Sequence, residues 1–229
     1  MKKFNFKELL KGLLVICSYF LLTNILAIPF LFLLQLKIID YKMFTLLLYL
    51  SLAIVYILIY KKDLIKDFKD LKNNYKEILK ITFNYWIKGI FIMLASSLLF
   101  TYLSLEPNTN QQANIELLKQ MPLIEAICAI ILAPIIEELV FRRSLIKFTS
   151  NKHIYALTTG LIFGFIHVTS SINSINDLIM LLYIIPYSSV GIALGYAYKK
   201  TNNIYGSLIM HSIHNAIAIL ELIIIGGFL

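Results

Sequence analysis

The sequence predicts an all-α, polytopic membrane helix bundle with about seven transmembrane helices. Three observations lead there. Of 229 residues, 59% are hydrophobic and only 15% charged, with a mean hydropathy of +0.78; a soluble domain carries about a quarter charged residues. Seven apolar runs approach the roughly 20 residues that a spanning helix needs, at 12–35, 43–60, 83–104, 122–147, 153–171, 177–198 and 204–229. The basic residues gather between alternate runs. Together these exclude a soluble enzyme, a secreted disulfide scaffold, a disordered chain and a DNA-binding domain. Cys17 and Cys128 lie in separate apolar runs and read as inert packing residues.

The first run is too long for a signal-peptide core, and no small-residue cleavage site follows it. It reads as a retained helix, with Pro29 kinking it or marking its outer end. Lysine and arginine bias then sets the orientation. One side holds Lys2, Lys3, Lys7 and Lys11, the seven lysines Lys61, Lys62, Lys66, Lys69, Lys72, Lys76 and Lys80, then Arg142, Arg143, Lys147 and Lys152, and finally Lys199 and Lys200. The other side holds only Lys37, Lys42 and Lys119, while Lys88 sits near the inner end of the third run and can snorkel. This split predicts a multi-pass protein of the cell membrane, with its N-terminus in the cytoplasm and its C-terminus outside. The net charge of +8 is therefore topological. The lipid bilayer is a partner on this reading and nucleic acid is not.

The connection 61–80 places Leu64, Ile65, Phe68, Leu71 and Tyr75 at helical spacing on a charged background. It reads as an amphipathic helix on the cytoplasmic membrane surface, against the plainer reading of a solvated connector. Residues 105–120 read as an outer polar loop with a short helical end. There is no repeat and no second domain. Residues 1–120 form N-terminal membrane helices with the connector, and residues 121–229 concentrate the polar groups.

Ionisable residues at membrane depth are costly, so each is a functional candidate. In the fourth run, Glu138 and Arg142 are four apart and can pair on one face. Glu137 is turned about 100° away and has no partner at that spacing, which suits a group that takes and returns a proton. In the fifth run, His167 follows a small-xxx-small pair, Gly160 and Gly164. In the seventh, His211 and Asn215 share a face, His214 lies on the neighbouring flank, and Glu221 follows on that flank. Two histidines at this spacing lack the H-E-x-x-H zinc pattern. Asn215 suits stabilisation of an oxyanion. Ser188 and Ser189 have no local base, so direct attack by water is the simpler chemistry.

Counting 1.5 Å per residue from the lysine-rich edge, Glu137 lies about 20 Å deep, His167 about 22 Å and His211 about 16 Å. The match requires Arg142 to sit inside the membrane, where it needs Glu138. A carboxylate, two imidazoles and an amide at one depth are parts for water activation and oxyanion stabilisation.

Glu137-Glu138-x-x-x-Arg142, Phe163-x-x-x-His167 and His211-x-x-x-Asn215, in that order on late membrane helices, resemble the CPBP intramembrane protease family. That family includes the CAAX prenyl endopeptidases and the bacterial Abi proteins of bacteriocin processing and self-immunity. The resemblance covers roughly residues 120–220 and leaves the first 120 as membrane context. It implies peptide-bond hydrolysis at or within the membrane. Glu137 and His167 would activate water, His211 and Asn215 would bind the oxyanion, and Glu138 with Arg142 would support them. The resemblance requires no cofactor, although Glu137, His167 and His211 could instead ligate one Zn²⁺. The substrate would be a membrane-associated peptide or protein, and the Lys-, Ile- and Asn-rich composition favours a bacterial peptide precursor over a prenylated protein. Two other readings compete. One is a catalytically silent scaffold or immunity protein that binds a partner membrane protein. The other is a transporter with a proton relay, which would carry inverted repeats and broken helices.

Overall fold

The computed structural model describes residues 4–105, 109–169, 171–172 and 175–225. Among these residues the architecture is an all-α bundle, and its isolated β-bridge joins Phe4 to Thr149. The elements are α1 (Phe6–Gln35), α2 (Tyr41–Ile59), α3 (Lys61–Tyr102), α4 (Thr109–Gln120) and α5 (Pro122–Ile127). A π-helical turn (Cys128–Leu132), α6 (Ala133–Glu137) and a second π-helical turn (Glu138–Arg143) continue directly from α5. After these come α7 (Lys152–Thr169), a 3-10 segment (Ile175–Tyr183), α8 (Ile184–Thr201) and α9 (Ile204–Ile225).

Local chemistry sets several of these limits. Asn5 and Asp40 cap α1 and α2, their side-chain oxygens accepting from the amides of Glu8 (3.2 Å) and Met43 (2.8 Å). Asn202 ends α8 in the left-handed conformation (φ 51°), its amide donating to Tyr198 O. Pro29 does not end α1, which continues to Gln35.

Five helices are long and apolar enough to cross a membrane: Phe6–Gln35, Tyr41–Ile59, Lys61–Tyr102, Asp177–Thr201 and Ile204–Ile224. On that measure the seven predicted spans become five. The run 122–147 is helical through residue 143 but is divided by the two π turns. The run 153–171 is the helix Lys152–Thr169, whose Lys152, His153, Thr158, Thr159 and His167 dilute its hydropathy. Residues 226–229 of the last run lie outside the described residues. Exposed Leu14, Leu21 and Ile28, seven residues apart on α1, give the helix an apolar outer face, as expected of a multi-pass membrane protein. Cys17 is exposed on α1, so only Cys128 is a packing residue.

The connector 61–80 is not a separate helix. It forms the first half of α3, a helix of 42 residues with one non-helical position, Asn74 (φ −123°, ψ 17°). At about 1.5 Å per residue such a helix is roughly twice as long as the hydrocarbon core is thick. Its first turns are held against the lysine-rich ends of other elements. Asp63 pairs with Arg143. Asp67 accepts from the Ile204 amide (3.1 Å), and Asn203 Nδ2 donates to Asp67 O (2.7 Å) and to Asp70 Oδ2 (2.8 Å). The predicted outer loop also gains structure, because Thr109–Gln120 is a 12-residue helix.

The centre of the bundle combines both parts of the chain. Ile16, Leu52 and Tyr56 share one buried cluster with Ile136, Leu139, Phe141 and Leu145. Tyr19 packs edge-on to Phe141, with ring centroids 5.9 Å apart. Helices α7 and α8 approach most closely at glycines. A Cβ at Gly160 would lie 2.5 Å from the Ile192 amide nitrogen, and one at Gly164 would lie 2.9 Å from that of Ser188. Those neighbours are backbone and cannot rotate away. Gly160→Ala is therefore expected to cost about 1–3 kcal/mol, read as a lower thermal midpoint of the purified protein; an unchanged midpoint would contradict this packing.

Candidate active site

The second π turn sets the site. Glu138 is fully buried at its start, and Arg142 follows one turn later, also fully buried. Arg142 Nη1 donates to Glu138 Oε1 at 2.5 Å. Neither group reaches solvent, so each depends on the other for its charge. Three further contacts fix the arginine. Tyr155 Oη donates to the Arg142 carbonyl (2.8 Å). The Phe163 ring lies beneath the guanidinium, 4.9 Å from Cζ to centroid. The adjacent Arg143 donates to Tyr198 Oη (2.9 Å) as well as to Asp63.

His211 of α9 completes the cluster. Its Nδ1 lies 2.9 Å from Glu138 Oε1. That oxygen already accepts from Arg142, so Nδ1 is the donor. The contact orients the ring, and Nε2 then faces Glu137 Oε2 at 3.5 Å. Glu137 is the open member, with 18% of its side chain exposed against 0% for Glu138. The two adjacent glutamates therefore differ in kind: Glu138 is locked by Arg142, and Glu137 borders accessible space. Glu137 is not unpartnered as the spacing suggests, because its neighbour comes from α9.

His167 and Asn215 sit at the margin. His167 Nδ1 donates to the Phe163 carbonyl (2.8 Å), which leaves Nε2 as the free ring nitrogen. Its ring lies 4.2 Å from Phe163 and 5.1 Å from Tyr187. Phe163 also packs edge-on to His211 at 5.6 Å, so the two histidines flank one phenyl ring. Among the described residues no hydrogen bond joins His167 to Glu137. Asn215 Nδ2 donates to the Ala129 carbonyl at 2.7 Å. The first π turn explains that bond. Ala133 N–H, the ordinary helical donor to Ala129, bonds to Cys128 O instead. The next residue, Pro134, has no N–H to give. Asn215 supplies the missing donor and keeps one amide proton for other use. His214 is half-buried on the flank and Glu221 is exposed.

Among the described residues, no three His, Cys, Asp or Glu side chains are grouped to hold a metal ion. Sequence spacing had shown the Glu138–Arg142 pair. It had not shown the roles of Tyr155, Tyr187 and Ala129, which arise from contacts between helices.

Residues 119–217 match the family described as type II CAAX prenyl endopeptidase Rce1-like. The match covers less than half of the chain, so it is a likeness of this segment to that family. The matched segment begins in α4 and ends in α9, so it contains Glu137, Glu138, Arg142, His167, His211 and Asn215. The UPF0177 protein YxdF of Lactococcus lactis subsp. lactis (strain IL1403) is 29% identical over 171 residues, which cover 71% of this chain and 86% of that protein. No solved structure matches the chain. That likeness supports a function of the intramembrane-protease type.

Two stability outcomes test this geometry. Arg142→Ala strands Glu138 and should cost about 3–5 kcal/mol, seen as a fall in folded yield; Glu138→Leu combined with Arg142→Met should restore the yield, because no buried charge remains. Asn215→Ala should cost about 1–3 kcal/mol by leaving the Ala129 carbonyl unpaired. That loss should shrink when Pro134→Ala returns a backbone donor, and a double-mutant cycle without coupling would refute the link.

Proposed function

We propose that the chain is an intramembrane endopeptidase that hydrolyses a peptide bond in a membrane-associated peptide or protein. The observation that carries this reading is the Glu137–His211–Glu138–Arg142 sequence of contacts, open at Glu137 and closed at Arg142. The mechanism uses His211 with both ring nitrogens carrying a proton, Nδ1–H donating to Glu138. His211 then presents Nε2–H beside Glu137, where an oxyanion can form.

In the reaction, a water molecule beside Glu137 gives its proton to the carboxylate as its oxygen attacks the scissile carbonyl carbon. His167 Nε2 helps to orient that water. His211 Nε2–H and the spare amide proton of Asn215 stabilise the oxyanion. The C–N bond then breaks as Glu137 passes its proton to the leaving nitrogen. Glu138 and Arg142 touch no reacting atom; they hold His211 in one orientation, much as a buried carboxylate orients a catalytic histidine elsewhere. The lysine distribution supports a cytoplasmic N-terminus, with the lysine-rich ends of α5–α9 on the same side. The Lys-, Ile- and Asn-rich composition favours a bacterial peptide precursor as the substrate. Maturation of such a peptide and self-immunity both follow from cleaving it.

Proteoliposome cleavage of candidate peptide precursors and of a prenylated CAAX peptide tests the proposal. Glu137→Gln should lower kcat by about 10²–10⁴-fold, and His211→Ala by about 10²–10³-fold, with both variants still folded. Activity should persist under a chelator; loss on chelation with recovery on adding zinc would replace this mechanism with a metal-dependent one. Full activity in both variants would overturn the residue assignments.

A further inference from the structure

The first half of α3 separates its charges by face. Asp63, Asp67, Asp70 and Asn74 recur at three- and four-residue spacing and form one stripe. All of them are engaged inward or with one another: Asp63 with Arg143, Asp67 with the Ile204 amide, and Asp70 with Asn203 and Asn74. The opposite stripe carries Lys61, Lys69, Lys72 and Lys76, interleaved with Ile65, Phe68 and Tyr75. Those three apolar side chains are exposed by 48%, 44% and 50%. Lys72 Nζ lies 4.8 Å from the centre of the Phe68 ring, and Lys76 Nζ lies 6.0 Å from that of Tyr75. The single apolar face that the sequence suggested is thus divided. Leu64 and Leu71 turn inward, while Ile65, Phe68 and Tyr75 turn outward.

From this we infer that the outer stripe of α3 is a docking face for anionic phospholipid headgroups. A soluble helix gains nothing by exposing three large apolar side chains, whereas an interfacial one buries them at the acyl boundary. The neighbouring lysines complement phosphate, and no carboxylate on that stripe offsets them, because the aspartates of these turns lie on the other. The same helix continues through Asn74 into a membrane-spanning segment, so the stripe lies within reach of the headgroups. Docking also has a structural consequence. The inner stripe grips Arg143, the neighbour of Arg142, so a lipid held on the outer stripe steadies the end of the second π turn.

The test uses the full chain in a Cys17→Ser, Cys128→Ser background with Tyr75→Cys carrying a fluorophore. The protein is reconstituted in phosphatidylcholine vesicles that contain a small fraction of either headgroup-quencher phosphatidylglycerol or headgroup-quencher phosphatidylcholine. Quenching by the anionic lipid should exceed that by the neutral one and weaken with salt. Lys72→Gln should cut the preference about fivefold, and neutralising Lys61, Lys69 and Lys76 as well should abolish it. Lys72→Arg should retain it, which separates loss of charge from loss of fold. Equal quenching by both lipids would overturn the inference. So would a label reached only by an aqueous quencher, which would leave the stripe facing solvent or a soluble acidic partner. The readout does not depend on peptide cleavage, so it stands apart from the proposed enzyme activity.

Discussion

The buried pair of Glu138 and Arg142 is the constraint around which the centre of this protein is arranged. A guanidinium and a carboxylate shut away from water each cost several kcal/mol unless their charges are matched and their hydrogen bonds met. The fold meets part of this cost locally, while Arg142 Nε and Nη2 are buried without a hydrogen-bond partner among the described residues. Tyr155 holds the arginine backbone, Phe163 lies under its planar group, and His211 takes the remaining acceptor capacity of Glu138 Oε1. These contacts come from α7 and α9, so those two helices are positioned by the need to complete one ion pair. The same contacts set the angle of the His211 ring, so the requirement that stabilises the bundle also prepares the site.

The two π turns carry a second consequence. A π turn adds one residue to a helical turn and shifts the phase of everything beyond it by about 100°. Such turns are strained and need outside support. The first receives it from Asn215 on the Ala129 carbonyl. The second is supported by Tyr19 against Phe141, and by Asp63 and Tyr198 on Arg143. Asn215 is thereby a structural donor to another helix, a use that its position in the sequence does not reveal.

Much of this was legible in the residues themselves. Helical spacing paired Glu138 with Arg142, and counting rise per residue placed Glu137, His167 and His211 at similar depth, because both inferences use the local geometry of single helices. What could not be read depended on contacts between helices. His211 and Glu138 are 73 residues apart, and no periodicity reveals which ring nitrogen meets which oxygen. The π turns were hidden because Pro134 also fits an ordinary helix start or kink. The connector was read with one apolar face because burial by neighbouring elements, which divides Leu64 from Ile65, is not a property of the segment. Length misled at Lys152–Thr169, where a run of the right size carries too many polar residues to resemble an independent span.

The first 120 residues do more than provide a membrane setting. The end of the second π turn and the segment after it are gripped by two separate pieces of that region. The amide of Asn5 donates to Phe148 O at 2.7 Å, Phe4 stacks edge-on to Phe148, and Asp63 pairs with Arg143. Tyr19 and Tyr56 close the same turn from within the bundle. A helix that ends in a π turn followed by a loop has few hydrogen bonds of its own to resist unwinding. Unwinding at Arg143 would pull on Arg142 and release Glu138. The geometry of one buried ion pair thus reaches outward to the amino terminus and to the surface turns of α3. A division of the chain at residue 120 separates the polar cluster from its supports, but not one folded unit from another.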